Sequence, residues 1–98
     1  MTIVGSALAI NAFAGTAAGK RAFEQQKFGV ALKELGPAAE KGDRDAIFLL
    51  AQMYGSGFGV TKNMNKAVKL YGKAAGLGHV DAQKEYGSAL ALGDGIEK

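Results

Sequence analysis

The sequence predicts an all-α protein built as an array of α/α-hairpins, and three observations carry that prediction. First, residues 28–62 lie on residues 64–98 at an offset of 36 with no gap. Ala31 falls on Ala67, Lys33 on Lys69, Gly36 on Gly72, and Ala38-Ala39 on Ala74-Ala75. Gly42 falls on Gly78, Asp45-Ala46 on Asp81-Ala82, Gly57 on Gly93, and Gly59 on Gly95. Self-similarity at a fixed period of this length marks a solenoid. Second, apolar residues recur at spacings of three and four between the matched glycines, the helical period. Third, the matched positions are mostly Ala and Gly, which suit close helix packing and lower the expectation of an enzyme.

The 98 residues make at most one small domain. An apolar fraction of 48% argues against disorder. Fifteen glycines with a single proline are unusual, and their spacing matters more than their number. With no cysteine there is neither a disulfide framework nor a thiolate metal site. The net charge of +3 falls well short of the dense Lys/Arg patches of dedicated nucleic-acid binders, so no nucleic-acid partner is expected. No apolar run reaches the roughly 20 residues that a membrane-spanning helix needs.

Residues 1–19 differ from the rest, with no charged side chain from Met1 to Gly19. An apolar run at Ile3-Val4 and Ala7–Ile10 leads to Ala12-Phe13-Ala14, the outline of a secretory signal peptide with its A-x-A site. The basic residue that usually precedes such a run is missing. Either residues 1–14 are removed on export and the chain is periplasmic or secreted, or residues 1–19 are an apolar helix packing on the array and the chain is cytoplasmic. Residues 20–98 form the repeat domain.

Residues 21–41 read as one helix leading into the array, with Ala22, Phe23, Phe28, Ala31, Leu32, Leu35, Ala38 and Ala39 on its apolar face. Pro37 removes the bond to the Lys33 carbonyl and should kink this helix or start a tight segment. Gly42 suits a left-handed helix end. Asp43 or Asp45 caps a second helix near 45–55, with Ala46, Leu49, Leu50, Met53 and Tyr54 buried. Gly55-Ser56-Gly57-Phe58-Gly59 reverses the chain. Asn63 caps a third helix near 64–77, with Met64, Ala67, Val68, Leu70, Tyr71, Ala74 and Ala75 on its apolar face. Asp81 is expected to cap a fourth near 82–92, with Ala82, Tyr86, Ala89 and Leu90 inward. Gly87 inside that helix costs about 1 kcal/mol against alanine, which close packing of a neighbour would explain.

One full unit reads Ala46, Leu50-Ala51, Tyr54, Gly57-Phe58-Gly59-Val60, Asn63, Lys66-Ala67, Leu70-Tyr71, Lys73-Ala74-Ala75, Gly78. It resembles the Sel-one-like repeat, a relative of the tetratricopeptide repeat, over about residues 28–98. Ala51, Asn63 and Leu70 depart from that family's glycine, aspartate and aromatic, and Leu90 in the half-unit at 82–96 takes the place of a tyrosine. The resemblance implies a right-handed superhelix, here about one and a half repeats with a lead-in helix. It also implies a non-catalytic scaffold that binds a protein or peptide. Some cysteine-rich relatives are linked to β-lactam binding or hydrolysis; this chain has no cysteine.

In helical-hairpin solenoids the first helix of each pair lines the concave surface. That makes Phe48, Gln52, Lys84 and Ser88 the candidate partner-binding strip, since 48 and 84, and 52 and 88, are equivalent at the offset of 36. Lys62, Lys66, Lys69 and Lys73 are spaced as one basic ridge for an acidic protein, a membrane surface or nucleic acid, although the solvated face of an amphipathic helix is the simpler reading. His79 has no ligand-forming neighbours in sequence and reads as structural. Asp43, Asp45, Asp81 and Asp94 are explained as caps or turn residues rather than acid–base pairs. The 55–59 glycines follow a helix and lack the G-K-[ST] ending of a phosphate loop. No catalytic, metal or cofactor site is expected. The function expected is a non-catalytic interaction module with a protein or peptide partner. The alternative is a small exported hydrolase or cell-wall binder of the β-lactam/peptidoglycan type. About three repeats are needed for independent stability, so the bare C-terminal end is expected to self-associate or dock on a partner.

Overall fold

The computed structural model describes residues 15–93, and these form five helices without a strand among them. The helices are α1 over 15–24, α2 Phe28–Glu40, α3 Arg44–Ser56, α4 Met64–Gly76 and α5 Val80–Leu92. Each of α3, α4 and α5 packs against the helix before it. The repeat therefore folds as helix pairs sealed by their neighbours.

The first difference from expectation is at the lead-in. One helix over 21–41 is replaced by two, broken at Gln25-Gln26-Lys27. Gln26 takes a left-handed φ of 61°, while its amide donates to the Phe23 carbonyl and that of Lys27 to the Ala22 carbonyl. This is the Schellman pattern of helix ends, built without glycine. The break lets α1 fold back on α2. A Cβ on Gly19 would stand 2.5 Å from Leu35 Cγ, so only glycine admits this approach. Across the turn, Phe23 meets Phe28 edge to face at 5.7 Å. Pro37 is accommodated inside α2, and the helix runs through it to Glu40. Gly36 ahead of it lacks the Cβ that crowds a proline ring in a helix.

The other ends follow the sequence more closely. The Gly42 amide donates to the Ala39 carbonyl and the Asp43 amide to the Ala38 carbonyl; at the offset of 36, Gly78 donates to Ala75 and His79 to Ala74. Asp43 caps α3, its Oδ1 accepting from the Asp45 and Ala46 amides. Asn63 caps α4 by accepting from Lys66. In the loop between α3 and α4, Phe58 stacks on Phe28 at 4.6 Å, and Gly59 (φ 71°) lies flat against the Phe28 backbone.

The core is small-residue packing around three larger side chains. Leu35, Ile47 and Met53 are fully buried, as are Ala31, Ala46, Ala51, Ala67, Ala74 and Ala82. Leu49 and Tyr54 are only half-buried, and Ile47 takes a place in the stripe expected for them. Leu90, expected to point inward, is 53% exposed. Gly87, expected to lie under a neighbour, has nothing within 4 Å of where a Cβ would stand. Both differences have one cause: among the described helices α5 packs chiefly on α4, and only its Ala82 and Ala89 are buried. Close helix contact falls instead at Gly72, where a Cβ would stand 2.8 Å from the Tyr86 ring.

Candidate functional site

At about 100° per residue, α4 presents two opposite faces, and each borders a groove. Met64, Val68 and Tyr71 line one, a groove of about 290 Å³ completed by the end of α3 and by α5. Lys66, Leu70 and Lys73 line the other, of about 240 Å³, completed by α2 and by Ile47, Leu50 and Tyr54 of α3.

Of the candidate strip, Ser88 alone is among the residues lining the first groove, together with Glu85 and Tyr71. Phe48 does not reach out as a free aromatic. It is half-buried, edge to face with Tyr71 at 5.7 Å and stacked on His79 at 4.2 Å. Gln52 is half-buried on α3, one turn beyond Phe48, and Lys84 is exposed on α5. Burial, and then the Glu85 carboxylate, raise the Tyr71 phenol above its ordinary value. Tyr71 is therefore protonated at neutral pH, a hydrogen-bond donor rather than a base. Sequence reasoning placed Tyr71 in the core and did not single out Glu85. The signal was available, since 85 and 88 lie one turn apart on one helix face.

His79 has a defined structural duty that the sequence only hinted at. It is the N-cap of α5, its Nδ1 accepting from the Ala82 amide at 3.1 Å. Asp81, expected to cap this helix, sits instead in its first turn, where a carboxylate complements the helix dipole. The Gly78–His79 turn starts the helix two residues earlier than expected, which moves Asp81 inside it. An accepting Nδ1 puts the imidazole proton on Nε2, which stands 3.4 Å from Asp45 Oδ1. The hint was that His79 falls on Asp43, also a cap. The same end of the array is tied by Thr16 donating to Asp43 (2.7 Å) and by Arg44 donating to the Leu77 carbonyl at the end of α4 (3.0 Å).

The four lysines do not share one environment. Lys62 lies in the loop ahead of the Asn63 cap, off the helix. Lys66 and Lys73 border the second groove, and the Lys66 ammonium sits 4.4 Å from the Tyr54 ring centroid. Lys69 is exposed but not among the groove's lining. Among the described residues no group of three or more His, Cys, Asp or Glu side chains is placed to hold a metal ion, and no helix is long and apolar enough to cross a membrane.

No curated protein matches the chain. The model of the Sel1 repeat matches residues 44–79, which span α3, the 57–63 loop, α4 and the turn into α5. Sel1 repeats generally mediate protein–protein interaction. The matched unit begins one residue after the Asp43 cap and ends on His79, so the family's unit and the structural unit coincide. The helix pair at the centre of this protein matches the Sel1 repeat, and the described residues fold as a helical solenoid consistent with that repeat family.

Proposed function

We propose that this protein is a non-catalytic scaffold that binds a protein or peptide in the groove between α3, α4 and α5. The observation that carries this reading is the groove itself. It offers apolar contact from Met64, Val68 and Leu92 and polar handles from Tyr71, Glu85 and Ser88, within a repeat family that serves protein interaction. Phe48 acts through Tyr71 and His79 as support for the wall, while Gln52, Lys84 and Ser88 supply the adaptable polar rim. The hydrolase or cell-wall alternative has no specific observation in its favour.

Export through residues 1–14 belongs to the same reading and lies outside the described residues; mass spectrometry of the mature N-terminus tests it. Self-association is supported by Val80, Leu90 and Leu92, which are 63%, 53% and 72% exposed on α5. Sedimentation velocity over a concentration series reads it directly. The binding surface is tested with a photo-crosslinking residue placed at Ser88 or Lys84 in the native host, with Gln25 as a remote control. A partner captured from 84 and 88 but not from 25 supports the reading; equal capture from all three refutes it.

A further inference from the structure

The groove on the opposite face of α4 has a different chemistry. Its floor is apolar, made by Ile47, Leu50 and Tyr54 of α3 and Leu70 of α4. It runs between α2 and α4, which point the same way because each is antiparallel to α3 through a short connection. A valley between two such helices accepts a third helix by ridge-into-groove packing. Its α4 edge carries Lys66 and Lys73, two turns and roughly 10 Å apart. Lys66 is anchored at the rim by the Tyr54 ring. Among the described residues Glu40 is the one acidic side chain that lines the groove, and it stands at the α2 C-terminal end, toward Lys73, leaving the Lys66 end without a compensating carboxylate among those described. From Ala46 to Val80 the sequence has no Asp or Glu at all.

We propose that this α2–α4 groove docks an acidic amphipathic helix of a partner protein, with carboxylates at i and i+7 on Lys66 and Lys73 and apolar side chains between them on Leu70 and Tyr54. The recess favours a peptide over a membrane or nucleic acid: its apolar floor lies behind the lysine edge, where projecting side chains reach and a flat surface does not. Two groove lysines also make a small footprint for a phosphate backbone. This surface is independent of the α3–α5 groove, so one can fail without the other.

The probe is a hydrocarbon-stapled helix of roughly four turns with leucines on one stripe and glutamates at i and i+7, compared with the same peptide carrying lysines at those positions. Binding to the full chain is measured by fluorescence anisotropy. K66E/K73E reverses the groove edge, and K62E/K69E makes the same change in net charge away from it. All four lysines are exposed, and thermal melts confirm that both variants fold. The expected result is preference for the glutamate peptide, a loss of roughly tenfold or more in K66E/K73E, and little change in K62E/K69E. Equal binding of the two peptides overturns the proposal. So do equal losses in both variants, which would report only the overall field, and a dimer of the chain that K66E/K73E dissolves, which would make a second copy the occupant. Binding to anionic phospholipid vesicles that depends on Lys66 and Lys73, in the absence of peptide binding, overturns it as well.

Discussion

Replacing Gly19 by alanine tests how α1 is held. An alanine normally gains about 1 kcal/mol over glycine inside a helix. Here the added methyl would stand 2.5 Å from both Cγ and Cδ2 of Leu35, against a normal carbon–carbon contact of about 3.5–4.0 Å. Leu35 is fully buried and has nowhere to swing. Either α1 lifts by about 1 Å or Leu35 leaves its rotamer, and overpacking of this kind costs about 1–3 kcal/mol. Two Leu35 atoms at 2.5 Å put the cost in the upper part of that range, about 2–3 kcal/mol, so the net expectation is a loss of about 1–2 kcal/mol, or roughly 4–16 °C in Tm for a domain of this size. Gly87→Ala is the control. Nothing stands within 4 Å of its new methyl, so the helix-propensity gain of about 0.5–1 kcal/mol should appear undiminished. Urea unfolding followed by circular dichroism at fixed m-value reads both variants. A Gly19→Ala protein as stable as its parent would refute the packing of α1 on α2.

Two further perturbations address the site. His79→Ala removes the Nδ1 acceptor of the α5 cap and the stack on Phe48, and should cost about 1–2 kcal/mol, whereas His79→Asn should restore most of the cap; hydrogen exchange at the Ala82 amide checks this locally. Tyr71 has a folded pKa above its ordinary value of about 10. The folded state thus holds the phenolic proton more tightly, so this contribution is complete below the unfolded pKa and is lost as pH rises through the folded one. Tyr71→Phe should flatten the alkaline limb of stability against pH relative to the parent, and Glu85→Gln should lessen the effect; unfolding curves from pH 8 to about 11 measure both.

The parts of the fold that were legible are those where the chain solves the same problem twice. Asp43 and Asn63 announced their helices because a short acceptor ahead of an apolar-periodic run has few other uses, and the Gly42 and Gly78 ends repeat at the offset of 36. The break at Gln25-Gln26-Lys27 was hidden for the opposite reason. It uses neither glycine nor proline, and a left-handed glutamine leaves no compositional mark. Its trace is a phase slip, since Phe23 and Phe28 are five residues apart where a continuous face would show three or four. The division of the lysines was also hidden. Their spacing looks uniform in sequence, but only the position of α2 makes a groove beside Lys66 and Lys73, and its lining residues lie 26 to 41 residues away in the chain.

The two copies also show that burial here belongs to neighbours rather than to residues. Ala46 and its equivalent Ala82 are both fully buried, because each lies where its helix meets another. Ala51 is fully buried and its equivalent Gly87 is exposed; Met53 is fully buried and its equivalent Ala89 sits at 9%. Half-buried Tyr54 corresponds to an exposed Leu90, and half-buried Phe48 to an exposed Lys84. Matched alanines such as Ala46 and Ala82 are consumed in making helices approach, and matched glycines such as Gly42 and Gly78 in ending them. Positions that differ between the copies, such as 48 and 84 or 52 and 88, are free of that duty. Selectivity for a partner has to be written in those unmatched positions, since a side chain required at every repeat cannot distinguish one repeat's partner from another's.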